Sequence, residues 1–287
     1  MKTTLVLGGG GVKGMGHAGA WRAVEEAGIA IDEIIGTSIG ALVGACVSAG
    51  SPWRTLYRQA RSLTKPDIVA LNRWALLLNG IRQPSVFQAE PLRSYITSIL
   101  PASDYSELRI PMSMNAVDLE TGRMVWFGAG GRTDVPLVDA IYASCALPLF
   151  YPPAAWNGSY FVDGGVLDGL PIQRAAERGA DRIIAIDVGA GEVRDSEDTV
   201  SKGLVAIHHR TLEIAGWVRK RSLLENWSGP TLIYVRPDFE AYSTFDFGQT
   251  EYFLDEGYRA TREALAAAGL GPAAEDPPGP RSASAAG

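Results

Sequence analysis

The sequence predicts an α/β protein with a mostly parallel central sheet covered by helices on both faces. Short apolar runs rich in β-branched residues and bounded by glycine alternate with helical patterns. This strand–helix–strand order implies right-handed parallel crossovers. The chain has 287 residues, 46% of them hydrophobic, which is enough to bury a large core. Because the apolar segments are evenly spread, we expect one domain over residues 1–268.

The first two strand–helix units carry the strongest patterns. Residues 3–7 predict a strand and residues near 18–27 a helix, followed by a short strand at 33–35 and a helix near 39–49. Further strands are expected at 110–117, 124–127, 182–187 and 232–236. Further helices are expected near 91–100, 137–146, 172–178, 204–222 and 250–268, with Pro91 and Pro171 suited to first-turn positions.

The two ends of the chain and its cysteines indicate the expected compartment. Residues 269–287 are dominated by Gly, Pro, Ala and Ser, which predicts a flexible tail. Nothing at the start resembles a signal peptide, because the first strand begins at once. Two cysteines, Cys46 and Cys145, cannot form a disulfide framework or a cysteine-based zinc site. We therefore expect a cytoplasmic protein in which both cysteines act as small buried hydrophobic residues.

Four consecutive glycines, Gly8–Gly11, followed by Gly14, stand where the first strand should pass into a helix. Without side chains, backbone N–H groups can converge there on an anion or an oxyanion. The spacing also fits a dinucleotide-binding loop, with Asp32 as the candidate ribose-binding acid. Asp32 precedes the second strand instead of following it, which argues against this alternative. A non-catalytic nucleotide-binding protein nevertheless stays open at this point.

The second motif is Gly36-Thr37-Ser38-Ile39-Gly40, at the end of the second predicted strand. It has the pattern of a nucleophile elbow, in which a sharp strand-to-helix turn exposes the serine Oγ and flanking glycines permit the bend. The amino terminus of the following helix favours negative charge that develops beside the serine. Ser38 is therefore the candidate nucleophile.

The third motif, Asp163-Gly164-Gly165, follows an apolar run and is either an ordinary turn or the source of a base for Ser38. Histidine is scarce: His17 lies beside the glycine loop, and His208 and His209 are adjacent, so they cannot share a helix face. They also lack helical metal spacing. An esterase or thioesterase with a Ser-His-Asp triad stays open, using His208 or His209. Its acid would be one of three candidates, Asp163, Asp168 or Asp187.

Taken together, the three motifs resemble the patatin-like phospholipase family. Residues 9–14, 36–40 and 163–165 match its motifs in order, and residues 143–148, Ala-Ser-Cys-Ala-Leu-Pro, resemble a further segment, so the resemblance covers roughly residues 3–190. One departure is Gly169, where many relatives carry Asn. The resemblance implies a three-layer α/β fold, with Gly14, Gly36, Gly40, Gly164 and Gly165 supporting the motifs.

The resemblance also implies a chemistry. Ser38 is the nucleophile and Asp163 its base in a dyad without histidine, and the amides of Gly9, Gly10 and Gly11 form the oxyanion hole. The implied substrates are lipid acyl esters, phospholipids or lysophospholipids, cleaved through an acyl-serine without a metal or organic cofactor. Because Ser38 would attack, Asp163 would take the proton and the amides would hold the oxyanion, the residues make a coherent site.

The net charge and its distribution along the chain indicate which binding partners are favourable. The net charge of −6 makes nucleic acid an unfavourable partner. Residues 51–82 carry a local +5, and Arg54, Arg58, Arg61 and Lys65 fall on one helical stripe. An apolar stretch at residues 74–78 follows this stripe. A solvated helix face is the ordinary reading. The alternative is peripheral contact with an anionic membrane through residues 51–82.

Overall fold

A computed structural model describes residues 1–71, 82–189 and 195–271. Its strands are β1 (Thr3–Leu7), β2 (Glu33–Gly36), β3 (Met112–Asp118), β4 (Met124–Gly128), β5 (Ala154–Trp156), β6 (Ser159–Asp163), β7 (Arg182–Ile186) and β8 (Thr231–Val235). Its helices are α1 (Gly16–Glu26), α2 (Ile39–Ser48), α3 (Trp53–Ser62), α4 (Lys65–Ile68), α5 (Glu90–Ile99), α6 (Leu137–Cys145), α7 (Ile172–Glu177), α8 (Ser196–Ser201), α9 (Leu204–Glu225) and α10 (Thr250–Ala267).

One sheet contains all these strands, in the order β5-β6-β3-β2-β1-β7-β8, with β4 also paired to β3. The neighbouring strands β3, β2, β1, β7 and β8 are parallel to one another, whereas β4, β5 and β6 are antiparallel to their partners. The prediction of a mostly parallel sheet is confirmed. The short strands β5 and β6 were not predicted, since prolines and a turn interrupt the apolar pattern there.

Strand β3 brings two distant parts of the chain together. Its first residues pair with β2, with Gly36 opposite Met114, and its last residues pair with β6, with Asp163 opposite Ala116. Strand β4 pairs along nearly the whole of β3, so β2 and β6 lie on the other edge. Since β2 runs parallel and β6 antiparallel to β3, their carboxyl ends point toward each other at Asn115. The turns that follow Gly36 and Asp163 therefore meet.

The core has one layer on each face of the sheet. Along β1, Leu5 and Leu7 face a large cluster built with α1, α2, α6 and α10, whereas Val6 faces a smaller cluster with α7 and Ile183. Strands buried on both faces are expected for a parallel sheet between helices. The predicted three-layer arrangement is thus present.

The basic segment differs from its prediction in one respect. Helix α3 ends at Ser62, and Lys65 begins the separate helix α4. The predicted four-residue stripe is therefore wrong at Lys65 and consists of three arginines, Arg54, Arg58 and Arg61, all exposed. The apolar stretch at 74–78 and most of the predicted tail lie outside the described residues.

Candidate active site

Ser38 occupies a sharp turn between β2 and α2. Its φ of 54° and ψ of −126° are unusual for a residue with a side chain, and such strain is retained only where the surroundings impose it. Its amide donates a hydrogen bond to Ser144 Oγ at 2.9 Å. A Cβ on Gly40 would lie 2.1 Å from the carbonyl oxygen of Leu7, so only glycine allows α2 to start this close to β1. The elbow predicted from the sequence is present.

Asp163 lies at the end of β6, directly across from this turn. Its side chain is buried, and Oδ1 accepts a hydrogen bond from the Gly165 amide at 2.7 Å. Burial raises the pKa of Asp163 to about 6, while the Ser38 hydroxyl and the Gly165 amide stabilise the carboxylate and limit that rise. The two side chains that the sequence paired as nucleophile and base are therefore neighbours.

The glycine loop lies beside Ser38 and is held by its own backbone. The Gly8 amide donates to the Ile186 carbonyl at 3.0 Å, and the Gly9 amide donates to the Gly169 carbonyl at 2.9 Å. Within the described part of the chain, the amides of Gly10 and Gly11 have no hydrogen-bond acceptor. Of the three amides predicted to be oxyanion donors, that of Gly9 is therefore engaged with the main chain in this structure.

The loop is also closely packed. A Cβ on Gly10 would lie 2.4 Å from the Val188 carbonyl oxygen. The buried side chain of His17 also contacts the loop, and its Nε2 lies 2.7 Å from the Gly8 carbonyl oxygen. Burial lowers the pKa of His17 to about 4, so the ring is neutral at pH 7 and Nε2 donates to that carbonyl. His17 therefore supports the glycine loop from within the core.

Asp187, at the end of β7, was one of three candidate acids for a triad. Its Oδ2 accepts hydrogen bonds from Lys220 Nζ, Tyr234 OH and Arg236 Nη1, each at 2.6 Å. Although burial opposes ionisation, Lys220 and Arg236 bring the pKa of Asp187 down to about 2. This carboxylate is engaged in a cation cluster, which argues against Asp187 as the acid of a triad.

The two adjacent histidines on α9 face different ways. His208 is exposed, whereas His209 lines the pocket that contains Ser38. The His209 ring stacks edge-on against Phe150 at 5.3 Å, and its Nδ1 lies 3.8 Å from Glu213 Oε1. Beside burial, which raises the pKa of Asp163, the Ser38 hydroxyl and the Gly165 amide are the groups that lower it. These contacts favour the dyad over the triad.

The remaining two acids have structural partners. Asp168 is largely buried and its Oδ1 accepts from the Leu170 amide at 3.1 Å, while burial raises its pKa to about 6. Asp32 accepts from the Thr3 amide at 2.7 Å, at the start of β1. The glycine loop follows the opposite end of that strand. Asp32 therefore cannot bind a ribose whose phosphates rest on the loop, which argues against the dinucleotide alternative.

Ser38 and Asp163 open into a cavity of about 370 Å³. Both cysteines are buried and unpaired, and burial raises the pKa of Cys46 to about 12. Cys145 lines the cavity beside Ser38. Apolar side chains from several elements line most of the cavity: Met15, Leu42, Leu63, Ile68, Leu92, Leu147, Leu212 and Phe245. Such a lining suits an extended hydrocarbon group next to the serine.

One wall of the cavity comes from α9, which sequence reasoning did not connect with the site. The residues of α9 that face the cavity include His209, Leu212, Gly216, Lys220 and Leu223. Their spacing of three and four residues places them on one helical face. That periodicity was readable in the sequence, but nothing local indicated which element this face would cover.

The sequence of this chain matches those of known proteins. A profile of the family described as patatin-like phospholipase matches residues 5–176. An uncharacterized NTE family protein of Mycobacterium tuberculosis is 35% identical over 203 residues, covering 70% of this chain and 53% of that protein. A lysophospholipase NTE1 of Coccidioides immitis is 30% identical over 280 residues, covering 91% of this chain and 17% of that protein. The chain thus spans about half the length of the first relative and less of the second.

Solved structures agree on the fold. VipD from Legionella pneumophila superposes with a TM-score of 0.58 at 15% identity, covering 93% of this chain and 67% of that one. A human GIVD cytosolic phospholipase A2 superposes with a TM-score of 0.50 at 11% identity, covering 94% of this chain and 59% of that one. At these identities the likeness concerns the fold.

Proposed function

Because the chain belongs to the patatin-like phospholipase family, we propose that it is a serine hydrolase that cleaves lipid acyl esters. The observation that carries this proposal is the meeting of Ser38, on its strained elbow, with the buried Asp163 beside two unoccupied loop amides. Relatives named lysophospholipases support the lipid ester as substrate class.

The proposed reaction needs only side chains and amides of this chain. Ser38 Oγ attacks the ester carbonyl carbon while its proton passes to the Asp163 carboxylate. The bond to the alcohol then breaks, the leaving oxygen takes that proton, and an acyl-serine forms. Water attacks the acyl-serine by the same steps, with Asp163 again accepting the proton and returning it to Ser38. The carboxylic acid is released and the site is restored.

The raised pKa of Asp163 supports its role as a base. A carboxylate at its ordinary pKa holds a proton weakly, and burial that raises the pKa to about 6 brings its basicity closer to neutral pH. The carboxylate form still predominates at pH 7. Asp163 is therefore ready to accept a proton without a histidine between it and the serine.

The developing oxyanion has two candidate donors, the amides of Gly10 and Gly11. The amino terminus of α2 adds a favourable dipole behind Ser38. Removing one oxyanion donor typically reduces turnover by about a hundredfold to a thousandfold. The loop is therefore as important to the proposed reaction as the base.

The cavity lining supports an acyl chain as the group next to Ser38. Apolar side chains dominate the cavity lining, and charged groups, among them Arg219, Lys220 and Asp187, also contribute to it. An aliphatic chain in this cavity would contact the apolar side chains, and the polar end of the ester has charged groups within the same cavity. We propose phospholipids or lysophospholipids as substrates on this basis.

Peripheral membrane contact through residues 51–82 stays part of the proposal, but with less positive charge available for it than the sequence predicted. In α3 the arginines face outward, but Arg61 makes a bidentate pair with Glu251 at 2.7 and 2.8 Å. That pair reduces the positive charge available to a membrane. Within the described residues, no helix is long and apolar enough to span a bilayer.

The test is hydrolysis of a p-nitrophenyl acyl ester series by the wild type, Ser38→Ala, Asp163→Asn and the double variant His208→Ala/His209→Ala, with folding checked by circular dichroism. We expect Ser38→Ala and Asp163→Asn to lower turnover by at least about a thousandfold. The histidine variant should keep most of its turnover. Loss confined to the histidine variant would replace the dyad with a triad, and no hydrolysis by any protein would refute the function.

A further inference from the structure

The side chain of His17 reaches back to the glycine loop from the first turn of α1. The chain passes from the loop through one short 3-10 turn, Gly11–Met15, into α1, which begins at Gly16. His17 Nε2 donates to the carbonyl oxygen of Gly8, nine residues earlier in the chain, at 2.7 Å. This hydrogen bond therefore joins the start of the loop to the helix that follows it.

The peptide group that accepts from His17 is held at both of its polar atoms. The Gly8 carbonyl and the Gly9 amide belong to one planar peptide group. The amide of that group donates to the Gly169 carbonyl at 2.9 Å. Because the group is rigid, it cannot rotate about its neighbours without breaking both hydrogen bonds. His17 thus helps to fix the orientation in which the chain enters the rest of the loop.

A second contact holds the other end of the loop. The Val12 amide donates to the Thr244 carbonyl at 2.9 Å. The amides of Gly10 and Gly11, the two candidate oxyanion donors, lie between the two held points. Glycine adopts either sign of φ readily, and Gly11 has a φ of 63°. The directions of these two amides therefore depend on the contacts at the ends of the loop.

The burial of His17 is poorly explained by stability alone. The side chain is fully buried. Its Nε2 carries the hydrogen, because a carbonyl oxygen can only accept, and in the neutral ring Nδ1 is then a bare acceptor. Within the described part of the chain, Nδ1 has no hydrogen-bond partner. An unpartnered buried polar atom lowers stability, and an apolar side chain of similar size would avoid that cost.

We propose that His17 is a positioning residue for the proposed reaction. Its hydrogen bond to Gly8 holds the loop in the form in which the two candidate donor amides point toward the oxyanion. His17 does not line the cavity, so it acts through the loop and takes no part in proton transfer. The inference rests on the proposed function, because those amides act only if Ser38 attacks a carbonyl group.

Three substitutions separate the hydrogen bond of His17 from the volume of its ring. His17→Met has a side chain of similar size without a donor. His17→Gln places an amide nitrogen near the position of Nε2, from which it can donate to the same carbonyl. His17→Asn reaches only to about the position of Nδ1, and it replaces His17→Met as the test variant if the latter does not fold.

The control for lost packing in α1 is Val24→Ala. Val24 is fully buried in the same helix, and it lies seven residues, or about 10 Å, further along the helix axis than His17. Its truncation should lower the thermal unfolding temperature without changing kcat. A loss of turnover through general destabilisation would appear in this variant as well.

We expect His17→Met to lower kcat for a short-chain p-nitrophenyl ester by about tenfold to a hundredfold, with KM nearly unchanged. A donor that acts on the oxyanion contributes in the transition state and not to substrate binding, which is the reason for that split. His17→Gln should restore most of kcat. A wild-type kcat in His17→Met would overturn the proposal, and so would an equal loss in His17→Met and His17→Gln.

Amide NMR spectra of isotopically labelled protein follow the loop without any turnover. The Gly10 and Gly11 resonances should shift in His17→Met and stay close to their wild-type positions in His17→Gln and Val24→Ala. If the wild type hydrolyses no ester, such shifts would uphold the control of these amides by His17 while the proposed function fails. Unchanged Gly10 and Gly11 resonances in His17→Met would overturn the positioning role, even in an active esterase.

Discussion

On one side of the cavity, Ser38, Gly10 and Asp163 are fixed by main-chain contacts, whereas α9 on the other side has no fully buried residue. The first side consists of strand ends and turns packed so closely that added Cβ atoms would collide with carbonyl oxygens. The second is a single helix that keeps every residue partly exposed, although Leu223 and Leu224 pack against a core cluster. The groups proposed to react thus belong to the rigid part, while the wall that meets the substrate belongs to the loosely held part.

Asp187 links the two sides. It lies at the end of β7 in the sheet, and its Oδ2 accepts from Lys220 of α9 as well as from Tyr234 and Arg236 of the sheet region. Apart from this ion pair, Arg219 Nη2 donates to the Val166 carbonyl at 2.5 Å. Polar contacts thus contribute strongly to holding α9 over the cavity. Substitutions at three positions test this contrast between the two sides.

The largest effect is expected at the rigid side, from Gly10→Ala. The new Cβ would lie 2.4 Å from the Val188 carbonyl oxygen, so the loop must shift and its amides must leave their positions. We expect turnover of a short-chain ester to fall by about a hundredfold or more, as for loss of an oxyanion donor. Steady-state kinetics would measure this, with thermal unfolding to check the fold.

The control for this change is Gly248→Ala, since the nearest atom to a Cβ there is Asp246 Oδ1 at 3.6 Å and the glycine is exposed. It should keep wild-type turnover. If Gly10→Ala also kept it, the loop amides would have no role in the reaction.

A smaller effect is expected from Asp187→Asn, because Asp187 connects α9 to the sheet. The change leaves Lys220 and Arg236 without their shared carboxylate, and we expect the free energy of unfolding at pH 7 to fall by about 3 kcal/mol. Because the pKa of Asp187 is lowered to about 2, its stabilisation is present above the ordinary value near 3.8 and is lost as the pH falls toward 2. The difference between variant and wild type should therefore shrink below pH 4.

Denaturant unfolding at several pH values would measure this difference. Asp134→Asn removes the carboxylate of an exposed pair with Arg132 and should change stability little. Equal losses in the two variants would show that Asp187 does not hold α9 more firmly than a surface ion pair does.

The smallest effect is expected at the loosely held side, from Gly216. This glycine lies within the continuous helix α9 and lines the cavity, and a Cβ there would meet nothing within 4 Å. Gly216→Ala should raise the free energy of unfolding by up to about 1 kcal/mol through helix propensity, without changing turnover. Gly216→Leu should extend into the cavity and lower kcat/KM for long acyl esters relative to short ones by about tenfold. An unchanged ratio would show that the acyl chain does not pass this helix.

The difference between the two sides also governs what the sequence could predict. The strands and turns that carry Ser38 and the glycine loop have local signatures, and β1 was predicted with its observed bounds, Thr3–Leu7. A bend that only glycine permits requires glycine at that position, so it is visible as a local sequence motif. The elbow and the loop could therefore be located before the structure was known.

Contacts between residues that are far apart in the sequence have no such local signature. That Asp163 meets Ser38 depends on β6 pairing with the far half of β3, and β6 was not predicted. The engagement of the Gly9 amide by Gly169 is likewise a tertiary contact. The cover formed by α9 depends on how a helix with two apolar faces docks, which periodicity alone does not determine.

The central claim, that Ser38 is activated by Asp163, is tested most directly by the rate at which a fluorophosphonate labels Ser38 as a function of pH. Since Asp163 must be ionised to accept the proton and its pKa is about 6, the rate should rise with pH through about 6 and then level off. The modified residue is identified by mass spectrometry. We expect Asp163→Asn to abolish labelling at all pH values and His208→Ala/His209→Ala to keep the wild-type profile. Labelling of Asp163→Asn at the wild-type rate would contradict the account.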